Sequence, residues 1–286
     1  MQAEPTPGTV PVHHRIADKL RGQIASGELP PGAAIPTTRE LQEAWGCTAI
    51  TVRSAIAVLR SEGLITSGRG KAPVVREPMV RHEIQLSADW TNEQKALVLR
   101  PRAERQKLGA IELIAGIPIE DVISTHRYEI VPADLDIAQE LGCELDQPTQ
   151  RRTYEMVNPT SGHRVAFSIS HIPLALIEGN PALLDDSNEP WPGGHQHQLY
   201  TVGIELERID RTVIATEPTP ADRQRWGMDL GSPLIKIRSR SVDTRGRVVE
   251  FSDATYPADR TQIDLTERLA PWPAGHAVFD LNEGDH

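Results

Sequence analysis

Cysteine is nearly absent: Cys47 and Cys143 are the only two among 286 residues. Such a pair builds neither a disulfide framework nor a four-ligand zinc site. No apolar run approaches the roughly 18–20 residues that a membrane helix needs. The opening MQAEPTPGTVPVHH lacks the basic-then-apolar order of a secretory signal. There is no G-x-S-x-G nucleophile turn, no glycine loop that would cradle a phosphate, and no βαβ rhythm. These absences point to a cytoplasmic, cofactor-free protein. What is present fits that reading. Hydrophobic residues are 38% and charged residues 24%, a globular balance, and the length favours two modest domains.

Charge is divided unevenly along the chain. The net charge is −10, yet Pro11 to Pro78 hold nine Lys or Arg against six Asp or Glu. Residues 79–286 therefore carry −12. A mildly basic head on an acidic body suits phosphate contact by the head alone.

The head reads as three short helices and a hairpin. Residues 1–12 are rich in Pro, Thr and Gly and are expected to be a disordered tail. Ile16, Leu20 and Ile24 then recur on one helical face, which ends at Gly27 and Pro30-Pro31-Gly32. Thr37 and Glu40 have the spacing of a capping box, and the short helix they open stops at Gly46. Thr48 caps a third helix, Ala49 to Glu62, with Val52, Ala55, Ile56 and Leu59 on its apolar face. Two β runs, Leu64–Thr66 and Pro73–Arg76, flank the turn Ser67-Gly68-Arg69-Gly70. This order predicts a winged helix-turn-helix over residues 13–78, with the third helix entering a major groove by its N-terminal end. That end offers Thr48, Ala49, Ile50, Thr51 and Arg53, and the wing offers Arg69 between glycines. A helix-turn-helix can also be an inert packing unit, and helix arginines are usually solvated.

The residues 16–41, I-A-D-K-L-R-G-Q-I-A-S-G-E-L-P-P-G-A-A-I-P-T-T-R-E-L, resemble the N-terminal domain of GntR-family bacterial transcription regulators. So do T-V-R-S-A-I-A-V-L-R-S-E-G-L-I and G-R-G-K-A-P-V-V after them. The resemblance implies operator contacts at Arg39, Thr48, Thr51, Arg53 and the wing Gly70, beside the Arg69 read from the residues themselves. Many members carry arginine just after the helix cap, where this chain has Ala49 and then Ile50. An apolar pair can meet a thymine methyl but cannot bond guanine bidentately, so relatives' operators do not transfer.

Residues 79–114 read as a connection with helical character: Trp90, Glu93, Ala96 and Leu97, then the basic cluster Arg100, Arg102, Arg105 and Lys107. From 115 to 286, β runs at Val122–Ile130, Gln150–Val157, Arg164–His171, Arg208–Thr216, Leu234–Asp243 and Val248–Tyr256 alternate with short helical stretches. The expected class is α+β, a mostly antiparallel sheet with flanking helices. The strings V-P-A-D-L-D-I-A-Q-E-L-G, R-R-T-Y, G-H-R-V-A-F-S-I-S-H-I-P and L-G-S-P-L-I-K-I-R-S-R-S-V-D-T-R-G-R-V-V-E-F-S-D-A-T-Y-P-A-D-R resemble the UTRA effector-binding domain of the HutC branch, which shares a fold with chorismate lyase.

That resemblance implies a phosphosugar or other anionic metabolite bound between the sheet and adjacent loops. By position it implies effector contacts from Arg152, Tyr154, Ser168, Ser170, His171, Glu250 and Tyr256. Strand alternation sends 168 and 170 to one face and 171 to the other, so His171 is the odd member. Two departures stand out: a long Asn180–Gly194 segment, and Arg164 where relatives often have proline. His195 and His197 are two apart without an evident third metal ligand, and read as a flexible loop pair. The expected protein is a homodimeric, ligand-responsive regulator of operator DNA, most simply a repressor. An effector-free DNA-binding dimer, or an enzyme on the lyase-like fold, are the rival readings.

Overall fold

The computed structural model describes residues 10–66, 72–77, 81–106 and 122–271. In the head, helices α1 (Val12–Ala25), α2 (Thr38–Trp45) and α3 (Ala49–Ser61) precede the paired strands β1 (Ile65–Thr66) and β2 (Val74–Val75). Most of the tail expected over 1–12 lies outside the described residues, and Val12, its last residue, already opens α1. The core includes the residues read from helical spacing, Ile16 and Leu20 from α1 and Val52, Ala55, Ile56 and Leu59 from α3, joined by Leu41, Ile35, Ile65 and Val75, while Ile24 is only partly buried. Each fully buried Val, Leu or Ile contributes about 1.5–3 kcal/mol. Both predicted caps form. The Glu40 N–H and side chain complete a capping box with Thr37, and the Thr51 N–H donates to Thr48 Oγ1. Gly46 closes α2 in the left-handed region at φ 58°, which turns the chain tightly into α3.

The body is a six-stranded antiparallel sheet flanked by helices, an α+β fold. Its strands are β4 (Ile123–Pro132), β5 (Pro148–Val157), β6 (Arg164–Pro173), β7 (Leu206–Thr216), β8 (Leu234–Asp243) and β9 (Val248–Pro257). Their spatial order is β4-β5-β6-β9-β8-β7. One face packs on helix α5 (Leu135–Leu141), whose Ile137, Ala138 and Leu141 meet Phe251, and on the Trp226 of another short helix, Pro220–Trp226. The segment read as a connection carries two elements that join the body. Strand β3 (His82–Gln85) pairs in parallel with β10 (Thr261–Asp264), and helix α4 (Ala88–Leu97) follows it. This pairing was illegible locally because its partners lie about 180 residues apart in sequence.

The long 180–194 segment is not open loop. It holds two short 3-10 turns, Pro181–Leu184 and Asp186–Asn188, then enters helix α6 (Gly194–Tyr200). His195 and His197 thus sit on a helix rather than in a flexible loop.

Candidate functional site

Two surfaces carry the candidate residues. On the head, Thr48 opens α3 with its hydroxyl 3.1 Å from that of Thr51, so these two hydroxyls are shared between capping and any outside partner. Ile50 is 72% exposed, far more than a core isoleucine would be, and Arg53 is exposed with no ion-pair partner among the described residues. Arg39 lies outward on α2, with its Nε 2.8 Å from Glu43. Thr48, Ile50 and Arg53 therefore project from the N-terminal half of one helix, the geometry of a reading helix. Arg69 and Gly70 lie outside the described residues.

On the body, the sheet face opposite α5 is unusually polar along one row. Cross-strand register places Tyr128, Arg152, Ser170, Ser252, Ser239 and Arg211 side by side from β4 to β7. Directly opposed residues share a face, so this row points to one side of the sheet. A cavity of about 450 Å³ lies over its β9-β8-β7 half, roofed by β3, α4 and α6. Its wall includes Trp90, Thr91, Gln94, His195, Arg211 and Glu250.

The predicted effector residues divide on this framework. Glu250 and Tyr256 line the cavity. Ser170 is buried beside Glu250, while Ser168 and Tyr154 occupy the adjacent row of the same face. His171 points to the other face, where its ring nitrogen lies 3.3 Å from Thr149 Oγ1, as alternation required. Arg152 is fully buried behind the cavity wall. Its Nε donates to Gln150 Oε1 at 2.8 Å, its other nitrogens to Gln198 and the Leu183 carbonyl, and its guanidinium lies 4.8 Å from the Tyr128 ring centre.

Two residues that sequence reasoning did not select complete this centre. Glu189, from the long segment, accepts hydrogen bonds from the Tyr128 and Tyr154 hydroxyls, Gln198 Nε2 and the Trp191 N–H. Burial opposes its charge, but these donors and nearby His195 hold its pKa below the ordinary carboxylate value. His195 Nδ1 lies 2.9 Å from Glu250 Oε1. Burial alone would raise the Glu250 pKa, yet His195, Arg152 and Ser170 push it down to about 2. Burial likewise disfavours charge on His195, and the Glu250 carboxylate more than offsets it, so His195 titrates above its ordinary value. Only the two-residue histidine spacing hinted at this. The second histidine diverges: the Trp191 indole N–H donates to His197 Nδ1 at 2.9 Å. No group of three metal-ligand side chains exists among the described residues.

A winged helix-turn-helix joined to a sheet with a polar cavity defines a DNA-binding regulator that responds to a small molecule. The chain belongs to the GntR family: residues 13–75 match the profile of bacterial regulatory proteins, gntR family, and residues 123–262 match the UTRA domain. It is 24% identical over 263 residues to the HTH-type transcriptional repressor NagR of Bacillus subtilis, covering 91% of this chain and 97% of that one. It is 25% identical over 261 residues to the mannosyl-D-glycerate transport/metabolism system repressor MngR of Escherichia coli, covering 90% and 96%. A crystal structure of a GntR-family transcriptional regulator shares the fold, with a TM-score of 0.67 at 22% identity, covering 91% of this chain and 99% of that one. Family and relatives are transcription regulators, not enzymes. No helix among the described residues is long and apolar enough to cross a membrane.

Proposed function

We propose that this protein is a cytoplasmic, homodimeric transcriptional repressor whose body binds a small polar or anionic metabolite and thereby changes operator affinity. In this reading residues 13–78 form the DNA-binding head, 79–114 the connection and 115–286 the effector-binding and dimerising body. The observation that carries it is the exposure of Ile50 and Arg53 at the start of a helix capped by Thr48, on the one part of the chain that is net basic. Two such heads related by a two-fold axis would read the halves of a near-palindrome. Arg39, Thr48, Thr51, Arg53, Arg69 and Gly70 would contact DNA. Ile50 would pack on a thymine methyl rather than bond guanine, so the operator would differ from those of arginine-bearing relatives. Glu250, Tyr256, Ser170, Tyr154 and Ser168 would shape the effector site, with Arg152 and His171 behind it. The functions printed in the relatives' names, repression by NagR and by MngR, support the sign of regulation.

The test is fluorescence anisotropy on DNA from upstream of the protein's own gene, with an unrelated duplex alongside, at two salt concentrations. The expected result is tight, salt-sensitive binding that prefers the native duplex by about a thousandfold. Arg53→Ala should weaken it by roughly tenfold or more. No binding to either duplex at low salt would overturn the reading.

A further inference from the structure

The sheet row between Tyr128 and Arg211 holds an arginine on each flank, and the two are in opposite circumstances. Arg152 is fully buried and fully bonded, by Gln150, Gln198 and the Leu183 carbonyl. Carboxylates from Glu189 and Glu250 share its electrostatic neighbourhood and are themselves engaged, by Tyr128, Tyr154 and Gln198 on one side and by His195 on the other. The centre around Arg152 is therefore complete: an entering anion would find Glu189 already holding the hydroxyl and amide donors. The long 180–194 segment supplies that internal carboxylate.

Arg211 is different. It sits half-buried in the cavity wall on β7, and no carboxylate comes within ion-pair distance among the described residues. The one hydrogen bond of its guanidinium among the described residues is a long one, 3.5 Å to the Thr91 hydroxyl. Burial with no compensating charge lowers its pKa from the usual arginine value. A partly desolvated guanidinium without a counter-charge is costly, and an oxyanion bonded by its planar fork removes that cost. Further polar groups share the same wall. Gln94, Thr91 and Ser252 border the cavity, and a hydroxylated ligand would find donors and acceptors beside the guanidinium.

We propose that Arg211 is the anion anchor of this cavity, so that the effector is a small hydroxylated acid whose carboxylate or phosphate binds at the β7 edge while its hydroxyls reach toward Gln94, Ser252 and the Glu250–His195 pair. This rests on the regulator reading above and specifies the chemistry of its effector. The dimensions agree. Arg211 and Glu250 are two strands and one side-chain repeat apart, about 11–12 Å between backbones. A cavity of about 450 Å³ lies within the range that encloses such molecules.

The experiment uses the full chain and four probes: D-gluconate, glucose 6-phosphate, inorganic phosphate and the neutral analogue glucitol. Thermal shift and calorimetric titration are read for the wild type, Arg211→Gln, Arg211→Lys and Arg152→Gln. At least one acid is expected to bind saturably and raise Tm, with glucitol inert. Preference between gluconate and glucose 6-phosphate distinguishes carboxylate from phosphate. Arg211→Gln should weaken acid binding by at least about tenfold with little change in the unliganded Tm, and Arg211→Lys should restore part of it. Arg152→Gln should instead lower the unliganded Tm. Equal acid binding by Arg211→Gln and wild type, equal binding of glucitol and gluconate, or no acid binding at millimolar concentration would each overturn the proposal. Operator binding is measured on the same samples. Its absence in the wild type would sink the regulator reading but leave the titrations interpretable.

Discussion

At the scale of single residues, the Glu250–His195 pair makes the firmest claim on solution behaviour. Glu250 is pushed down to about 2 from its ordinary 4.5, so its contribution to stability is present above 4.5 and lost as pH falls toward 2. His195 is raised above 6.5, so its contribution is present below 6.5 and lost as pH climbs through the raised value. Both conditions hold between pH 4.5 and 6.5. His195→Gln should therefore destabilise the protein most in that window, on the order of 2 kcal/mol, with a smaller deficit at pH 9. Urea denaturation of both proteins across pH checks this, and a pH-independent deficit would mean that His195 serves only to pack. Arg152 illustrates a different point. By resemblance it belongs to an effector-binding strand, yet in this fold it organises the wall by bonding three neighbours, so its loss should register as stability before it registers as ligand affinity.

At the scale of elements, the start of α3 combines two tasks that one substitution can separate. The Thr48 hydroxyl caps the helix, and the same residue is exposed on the face proposed to meet DNA. Aspartate caps at least as well as threonine and complements the helix dipole, but it places a negative charge against phosphate. Thr48→Asp should keep or slightly raise Tm while abolishing operator binding. Thr48→Ala should lower stability by about 1 kcal/mol with a milder loss of binding. Thermal melts and anisotropy on the same samples would decide. If Thr48→Asp bound DNA as well as wild type, α3 would not be the reading element. Helix α6 makes the complementary case, since Gln198 and His195 reach the sheet only because Gly193 and Gly194, both at positive φ, let the chain turn into that helix.

At the scale of the whole molecule, one arginine anchors the contact between head and body. Arg76, at the end of the wing strand, is 15% exposed. Its guanidinium donates to Asp259 at 2.8 Å and Ser232 at 3.1 Å, and lies 3.4 Å from Asp229. Nearby, a Cβ added at Gly231 would lie 1.8 Å from the Ser61 carbonyl oxygen at the end of α3. A regulator needs its effector to favour one arrangement of head and body, and this contact is where the preference can be held. Arg76→Gln should leave basal operator affinity within about threefold but blunt the change produced by a bound acid, read by anisotropy with and without that acid. A response of undiminished size would place the coupling elsewhere. Removing Asp259 as well should add little, because the pair acts as a unit.

Much of this architecture could be read in advance, because it rests on local physics. Capping at Thr37 and Thr48, the turn at Gly46 and the apolar spacing through Ile16, Leu20, Val52 and Leu59 are properties of neighbouring residues, and they specify the head without reference to the body. The six long strands and the facing of Ser168 and Ser170 against His171 followed from period-two alternation in the same way. What tertiary structure alone decided were relations between residues distant in the chain. The β3–β10 pair, the entry of Glu189 against Tyr128 and Tyr154, the Glu250–His195 contact and the row ending in Arg211 all depend on which strands become neighbours. Sequence spacing carries no record of that order. Nor does it tell whether an arginine is bonded on every side, as Arg152 is, or turned into a cavity with its charge unmet, as Arg211 is.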